Sequence, residues 1–105
     1  MIDHVTIRVS DLEATKKFYL KALEPLGYKL LHDDADFFGL GKENRIDTWF
    51  TTNPSKSGPV HIAWKADSKE VVDAFYNAAL EAGGQDNGAP GTHNEYHENY
   101  YGAFV

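Results

Sequence analysis

The chain repeats itself. The segments HVTIRVSDLEATKKFYLKALEPLG (residues 4–27) and HIAWKADSKEVVDAFYNAALEAGG (residues 61–84) align without a gap at an offset of 57 residues (61 − 4). His4 falls on His61, Glu13 on Glu70, Phe18-Tyr19 on Phe75-Tyr76, Ala22-Leu23-Glu24 on Ala79-Leu80-Glu81, and Gly27 on Gly84. Arg8 meets Lys65, which keeps the charge. A repeat of this length means that one supersecondary unit is used twice, so any fold must hold two copies of it.

Each copy opens with alternation of period two, the mark of a half-buried strand. Val5, Ile7 and Val9 point one way; His4, Thr6 and Arg8 point the other. In the second copy Ile62, Trp64 and Ala66 oppose His61, Ala63 and Lys65. A helix follows in each. Ser10 with Glu13, and Asp67 with Glu70, have capping-box spacing. Leu12, Tyr19, Leu23 and Leu26 make an apolar stripe at helical spacing, as do Val71, Phe75, Ala78 and Ala82. Pro25 and Gly27 stop the first helix, and Gly83-Gly84 the second.

After the first helix come three strand candidates, YKLLH (28–32), DFFGL (36–40) and IDTWFT (46–51). NPSKSGP is a turn-rich connection to the second copy. The first copy therefore reads βαβββ. The second offers a strand, a helix, a weak extended piece at 84–87, the loop GAPGTHNEYHE and the strand YYGAFV, one strand fewer.

Composition narrows the function. The 105 residues suit one domain, 42% of them hydrophobic. The net charge of −6 comes without any basic stretch longer than Lys16-Lys17, which excludes a nucleic-acid backbone or an anionic membrane surface as partner. The absence of cysteine excludes disulfides, thiolate metal sites and a thiol nucleophile. MIDHVTIRV is strand-like, with no apolar run of a signal peptide, so a cytoplasmic location is expected.

The opening IDHVTIRVSDLEATKKFY, the segment VHIAWKA, and AFYNAALEAGGQDNGAPG followed by YYGAFV resemble the vicinal oxygen chelate superfamily over the whole chain. Its members include glyoxalase I, extradiol dioxygenases, methylmalonyl-CoA epimerase, and the fosfomycin- and bleomycin-resistance proteins. The resemblance implies an α+β fold in which two βαβββ modules, residues 1–52 and 59–105 joined by 53–58, form a strongly curved, half-open sheet with the two helices outside. It implies a small-molecule site inside the curve and a homodimer. In metal-using members the first-strand His of each half and a Glu on the last strand bind a divalent ion. His4 and His61 match the first two positions. The Glu follows an Asp-Pro-Asp-Gly turn after an AFV strand, so the last strand and the third ligand are expected beyond Val105.

Two imidazoles and a carboxylate on one face of an ion suit Fe, Mn, Ni, Co or Zn and leave positions for a substrate with adjacent oxygens. The resemblance therefore implies a metal-dependent lyase, isomerase or dioxygenase. The alternative is a metal-free protein that binds or sequesters a small molecule. Around the histidines, Asp47 reads by parity with Trp49 and Thr51, opposite Ile46 and Phe50: either a cup-facing group or an edge Asp. Trp49 offers a stacking wall for a planar ligand. Arg8 binds an anionic substrate or pairs with a carboxylate. His97, Tyr100 and Tyr101 belong to a loop that reads as a lid or as a solvated segment. Trp64, Phe18-Tyr19 and Phe75-Tyr76 read as core.

Overall fold

Alternation and capping explain most of the secondary structure in the computed structural model, which describes all 105 residues. The first copy forms β1 (Val5–Val9), α1 (Leu12–Ala22), a 3-10 turn (Glu24–Leu26), β2 (Lys29–Asp33), β3 (Phe37–Lys42) and β4 (Arg45–Thr52). The second forms α2 (Lys69–Glu81) and a short hairpin of β5 (Gly91–Thr92) and β6 (Tyr101–Gly102). Both caps sit one residue later than the capping-box reading. Asp11 accepts from the Ala14 amide at 3.0 Å, and Ser68 accepts from the Val71 amide at 3.2 Å. The shift has a local cause: in each copy the residue after the expected cap is itself a good acceptor, Asp or Ser, and it claims the first free amides. Asp11 and Ser68 are themselves related by the 57-residue offset, so the repeat extends to the caps.

Pro25 opens the 3-10 turn, and Gly27 closes it in the left-handed region at φ 85°. The chain re-enters the sheet there as β2. Strand order is β1-β4-β3-β2, with β1 parallel to β4 and the other neighbours antiparallel. Glu43 and Asn44, both at positive φ, make the two-residue turn between β3 and β4.

The core lies between this sheet and the helices. Phe38, Leu40 and Phe50 are fully buried against Ile7, Leu12 and Leu23. Phe50 stacks on Phe38 at 4.9 Å and on Tyr19 of α1 at 4.8 Å. Burying one such ring contributes about 1.5–3 kcal/mol, so these aromatics fix how α1 sits on the sheet. The expected placement of Trp64 in the core holds: it packs on this cluster, 5.7 Å from Tyr19, and its Nε1 donates to Thr48 Oγ1 at 3.3 Å.

The second copy departs from the expectation. Residues 60–66 alternate in burial, with Ile62, Trp64 and Ala66 half-buried, yet form no strand. A strand is defined by its hydrogen-bonded neighbour, and none runs beside this segment. The pieces expected at 84–87 and 100–105 do meet. Asn87 donates to Phe104 O at 2.9 Å and Phe104 donates to Gly88 O at 2.8 Å, extending the β5–β6 pairing. The result is α+β, two helices over a mixed, curved sheet that does not close. No helix is long and apolar enough to cross a membrane.

Candidate functional site

His4 lies one residue before β1 and His61 at the equivalent place in the second copy. Both line one recess of about 450 Å³, with Asp3, Arg45, Asp47 and Trp64. Asp3 Oδ1 is 2.9 Å from His4 Nδ1. A carboxylate only accepts, so the proton of this bond sits on Nδ1; in the neutral imidazole that leaves Nε2 with its lone pair. Arg45 donates to the other Asp3 oxygen at 3.0 Å. The bond from His4, and then Arg45, hold the Asp3 carboxyl below its ordinary range. The charge order across the rim is thus Arg45, Asp3, His4.

Asp47 was expected to share a face with Trp49. The structure overturns that parity. The β3–β4 register slips between Leu40 and Gly41, so that Leu40 opposes Thr48 while Gly41 opposes Ile46. This is a bulge at Asp47, which changes the face of each residue before it. Ile46 Cγ2 and the Trp49 ring both sit where a side chain on Gly39 would be, at 2.8 Å, so those two share the open face. Asp47 instead accepts from the Tyr28 hydroxyl at 2.6 Å and from Thr48 Oγ1 at 2.9 Å. Thr48 is buried and also receives Trp64 Nε1. Tyr28, Asp47, Thr48 and Trp64 therefore form one hydrogen-bonded chain that ties the residue before β2, β4 and the second copy together.

Burial, and then the bond to Asp47, push the Tyr28 hydroxyl well above its ordinary value of 10.0. A raised value means that this contribution to stability is complete below pH 10.0 and is lost as pH rises beyond it. Tyr28→Phe is expected to cost about 1 kcal/mol at neutral pH and to make the alkaline fall in stability shallower. Urea titrations of both proteins at neutral and alkaline pH check this; equal alkaline slopes would refute it.

The donors in the recess fit two ligand positions and no third. No three His, Asp or Glu side chains gather in a metal-binding arrangement, and both Asp47 oxygens already accept hydroxyl protons. These residues therefore supply two imidazoles and no free carboxylate as a third ligand.

The open face of the sheet carries a different feature. His32 and Phe37 stack at 5.0 Å and 7°, and the Trp49 ring lies 5.5 Å from the first and 5.8 Å from the second. His32 is fixed by Asp34, 2.8 Å from Nε2. Phe37 remains 37% exposed. Trp49 pairs across β1 with Thr6, and Arg8 with Thr51, so Arg8 stands exposed on the same face. His4 lies about 7 Å from Thr6 along the strand, two residues at ~3.3 Å each. His32 and Phe37 were missed in the sequence. Their signal was available: Phe37 and Gly39 share one parity, and a bare glycine opposite a Trp leaves room for aromatic rings.

His97, Tyr100 and Tyr101 are not beside His4. They line a second, larger cleft of about 770 Å³ together with His61, Trp64 and Phe75. His97 packs edge-on against Tyr100 at 4.9 Å. Tyr101 donates to Asp73 of α2 at 2.7 Å, and the Lys69 ammonium lies 5.3 Å from its ring centre. Tyr101 thus anchors the hairpin to α2. His61, Ile62, Ala63 and Trp64 line both cavities.

Comparison with known proteins agrees with this architecture. The family described as the Glyoxalase/Bleomycin resistance protein/Dioxygenase superfamily matches residues 1–103. A crystal structure of a glyoxalase/bleomycin resistance protein from Albidiferax ferrireducens T118 is similar at 27% identity, with a TM-score of 0.72 over 88% of this chain and 81% of that one. A glyoxalase/bleomycin resistance protein/dioxygenase family enzyme from Burkholderia phytofirmans PsJN shares the fold at 21% identity, with a TM-score of 0.67 over 95% of this chain and 84% of that one. No curated protein matches the chain.

Proposed function

The chain belongs to the glyoxalase/bleomycin resistance protein/dioxygenase superfamily, and from that premise we propose that it binds a small planar organic anion on the open face of its first sheet. One observation carries this reading: the wall of Trp49, Phe37 and His32, packed ring against ring and left open to ligand. Stacked rings offer a flat apolar surface without ordering cost, because His32 and Trp49 are already fixed by their neighbours. Arg8, two strands from Phe37 across Thr51, supplies the charge for a carboxylate or phenolate on the ligand. The role is binding and sequestration. In cells the reading includes a homodimer along the open edge of β1 and a cytoplasmic location; a sedimentation mass equal to one chain would remove the dimer from it.

Fluorescence titration against a panel of planar aromatic acids tests the proposal. Trp49→Ala is expected to weaken binding by about tenfold or more, the loss of one stacking surface of 1–1.5 kcal/mol plus its buried area. His4→Ala is expected to leave affinity unchanged. No quenching by any acid in the panel, or equal affinity in Trp49→Ala, would overturn the proposal.

A second reading has its own observation. His4 and His61 share one recess, with the His4 Nδ1 bound to Asp3 and so its Nε2 left as the ligating atom, and two imidazoles suit a divalent first-row ion. On this reading the protein is a metal-dependent lyase, isomerase or dioxygenase. Calorimetric titration with Ni²⁺ or Zn²⁺ discriminates: a site abolished by either His4→Ala or His61→Ala favours it, and heat unaffected by both substitutions removes it.

A further inference from the structure

The open face of the first sheet is built in two rows. Thr6, Trp49, Gly39 and His32 pair across β1, β4, β3 and β2. Arg8, Thr51 and Phe37 pair in the same way two residues along the strands, and the Asp34 amide, which donates to Phe37 O at 2.9 Å, completes the second row. Gly39 leaves the middle of the first row bare, since a Cβ there would meet the Trp49 ring at 2.8 Å. The second row has a cation at one end and a carboxylate at the other. Resting on the binding reading above, we infer that His32, held by Asp34, reads a hydroxyl at the end of the ligand remote from its acid group. The site then selects hydroxylated aromatic mono-acids over the bare acids and over diacids.

The first support is the free edge of the imidazole. His32 Nε2 lies 2.8 Å from Asp34 Oδ2. A carboxylate only accepts, so the proton of this bond sits on Nε2. The two ring nitrogens point in nearly opposite directions, which aims Nδ1 away from Asp34. Nδ1 has no partner in the chain, and it is not sealed off: the buried side-chain atom left without a partner is His93 Nε2. The ring cannot turn without losing its stack on Phe37, at 5.0 Å and 7°. In the neutral ring Nδ1 accepts, and in the charged ring it donates; a hydroxyl matches either state, because it does both.

The second support is the distribution of charge. Arg8 is exposed and stands outside the chain's ion pairs, whose cations besides histidine are Lys16, Lys21 and Arg45. At the other end, Asp33 is matched by Lys16 at 2.8 Å and Asp34 by the imidazole, with Asp36 exposed beside them. A ligand carboxylate therefore goes to Arg8, and a second carboxylate at the far end would meet Asp34 and Asp36. The third support is span. Arg8 and His32 stand on the two outer strands, three spacings of ~4.8 Å or about 14 Å apart across the sheet. Their side chains close part of that span. What remains suits a ligand of one ring or two with a polar group at each end.

Calorimetric titration of the full chain with benzoate, para-hydroxybenzoate, para-methoxybenzoate and terephthalate tests this. Para-hydroxybenzoate is expected to bind about five- to tenfold more tightly than benzoate, the yield of one hydrogen bond, and terephthalate more weakly than either. His32→Phe keeps a ring against Phe37, so benzoate affinity is expected to hold while the hydroxyl preference disappears. Asp34→Ala alters a positioning residue that does not touch the ligand. It is expected to shrink the hydroxyl preference and to bring terephthalate closer to benzoate, with benzoate itself unchanged. Should His32→Phe fail to fold, para-methoxybenzoate on the unaltered protein decides: methylation removes the hydroxyl proton and fills the space beside Nδ1, and this acid is expected to bind no better than benzoate. Equal affinities for benzoate and para-hydroxybenzoate overturn the inference and leave the binding reading standing. So does a hydroxyl preference that survives in His32→Phe. Failure of all four acids to bind overturns both.

Discussion

Phe50→Ala is expected to lower stability by about 3–5 kcal/mol, a loss large enough to unfold much of a domain whose total is roughly 5–15 kcal/mol. The ring is fully buried and touches both layers of the first copy: Phe38 of the sheet at 4.9 Å and Tyr19 of α1 at 4.8 Å. Its removal opens a cavity between elements that meet mainly through these rings. The second copy offers little compensation: of the fully buried large side chains, none comes from it. Phe37→Ala is the matched control. That ring is one position from Phe38 but on the opposite face, 37% exposed, and its loss is expected to cost under about 1 kcal/mol. Urea unfolding of the two variants decides the point; comparable losses would mean that the face assignment of β3 is wrong.

The contrast between those two phenylalanines shows what the sequence made legible. Alternation placed Val5, Ile7 and Val9 on one face of β1, and the structure buries Ile7 fully and the others in part. The repeat located both helices and the equivalence of their caps. It also brought His4 and His61 to one recess, because two copies of a unit related by pseudo-symmetry place equivalent residues near their common axis. Alternation failed at Asp47 for a physical reason. Parity counting assumes one residue opposite one residue, and a bulge inserts an extra one. The hint lay on the neighbouring strand, in the Gly-Leu-Gly of β3, since glycines inside a strand mark close approach of another backbone or ring. Residues 60–66 failed for a different reason. Their pattern is that of a strand, but pattern fixes only which side is apolar; pairing requires a neighbour that local sequence does not describe.

Gly41→Ala carries the other large effect, and it joins the bulge to the site. A Cβ at position 41 would lie 1.9 Å from the Arg45 carbonyl oxygen and 2.9 Å from Ile46 Cα. Both are backbone atoms, so no side-chain rotation relieves the clash. The β3–β4 hairpin must open at its turn or the bulge must move. Overpacking of a well-packed site costs about 1–3 kcal/mol when side chains can adjust; a backbone clash lies at or above the top of that range. The consequence is specific. Shifting the bulge returns Asp47 toward the open face and takes it from Tyr28 and Thr48, the two hydroxyls that now donate to it at 2.6 and 2.9 Å. Gly41→Ala and Tyr28→Phe should therefore be non-additive: once the bulge is displaced, removing the Tyr28 hydroxyl costs little more. A double-mutant cycle in urea measures this coupling, expected at about 1 kcal/mol. Strict additivity would show that the bulge and the Tyr28–Asp47 bond are held independently, and that Asp47 keeps its orientation for some reason other than the register of β4.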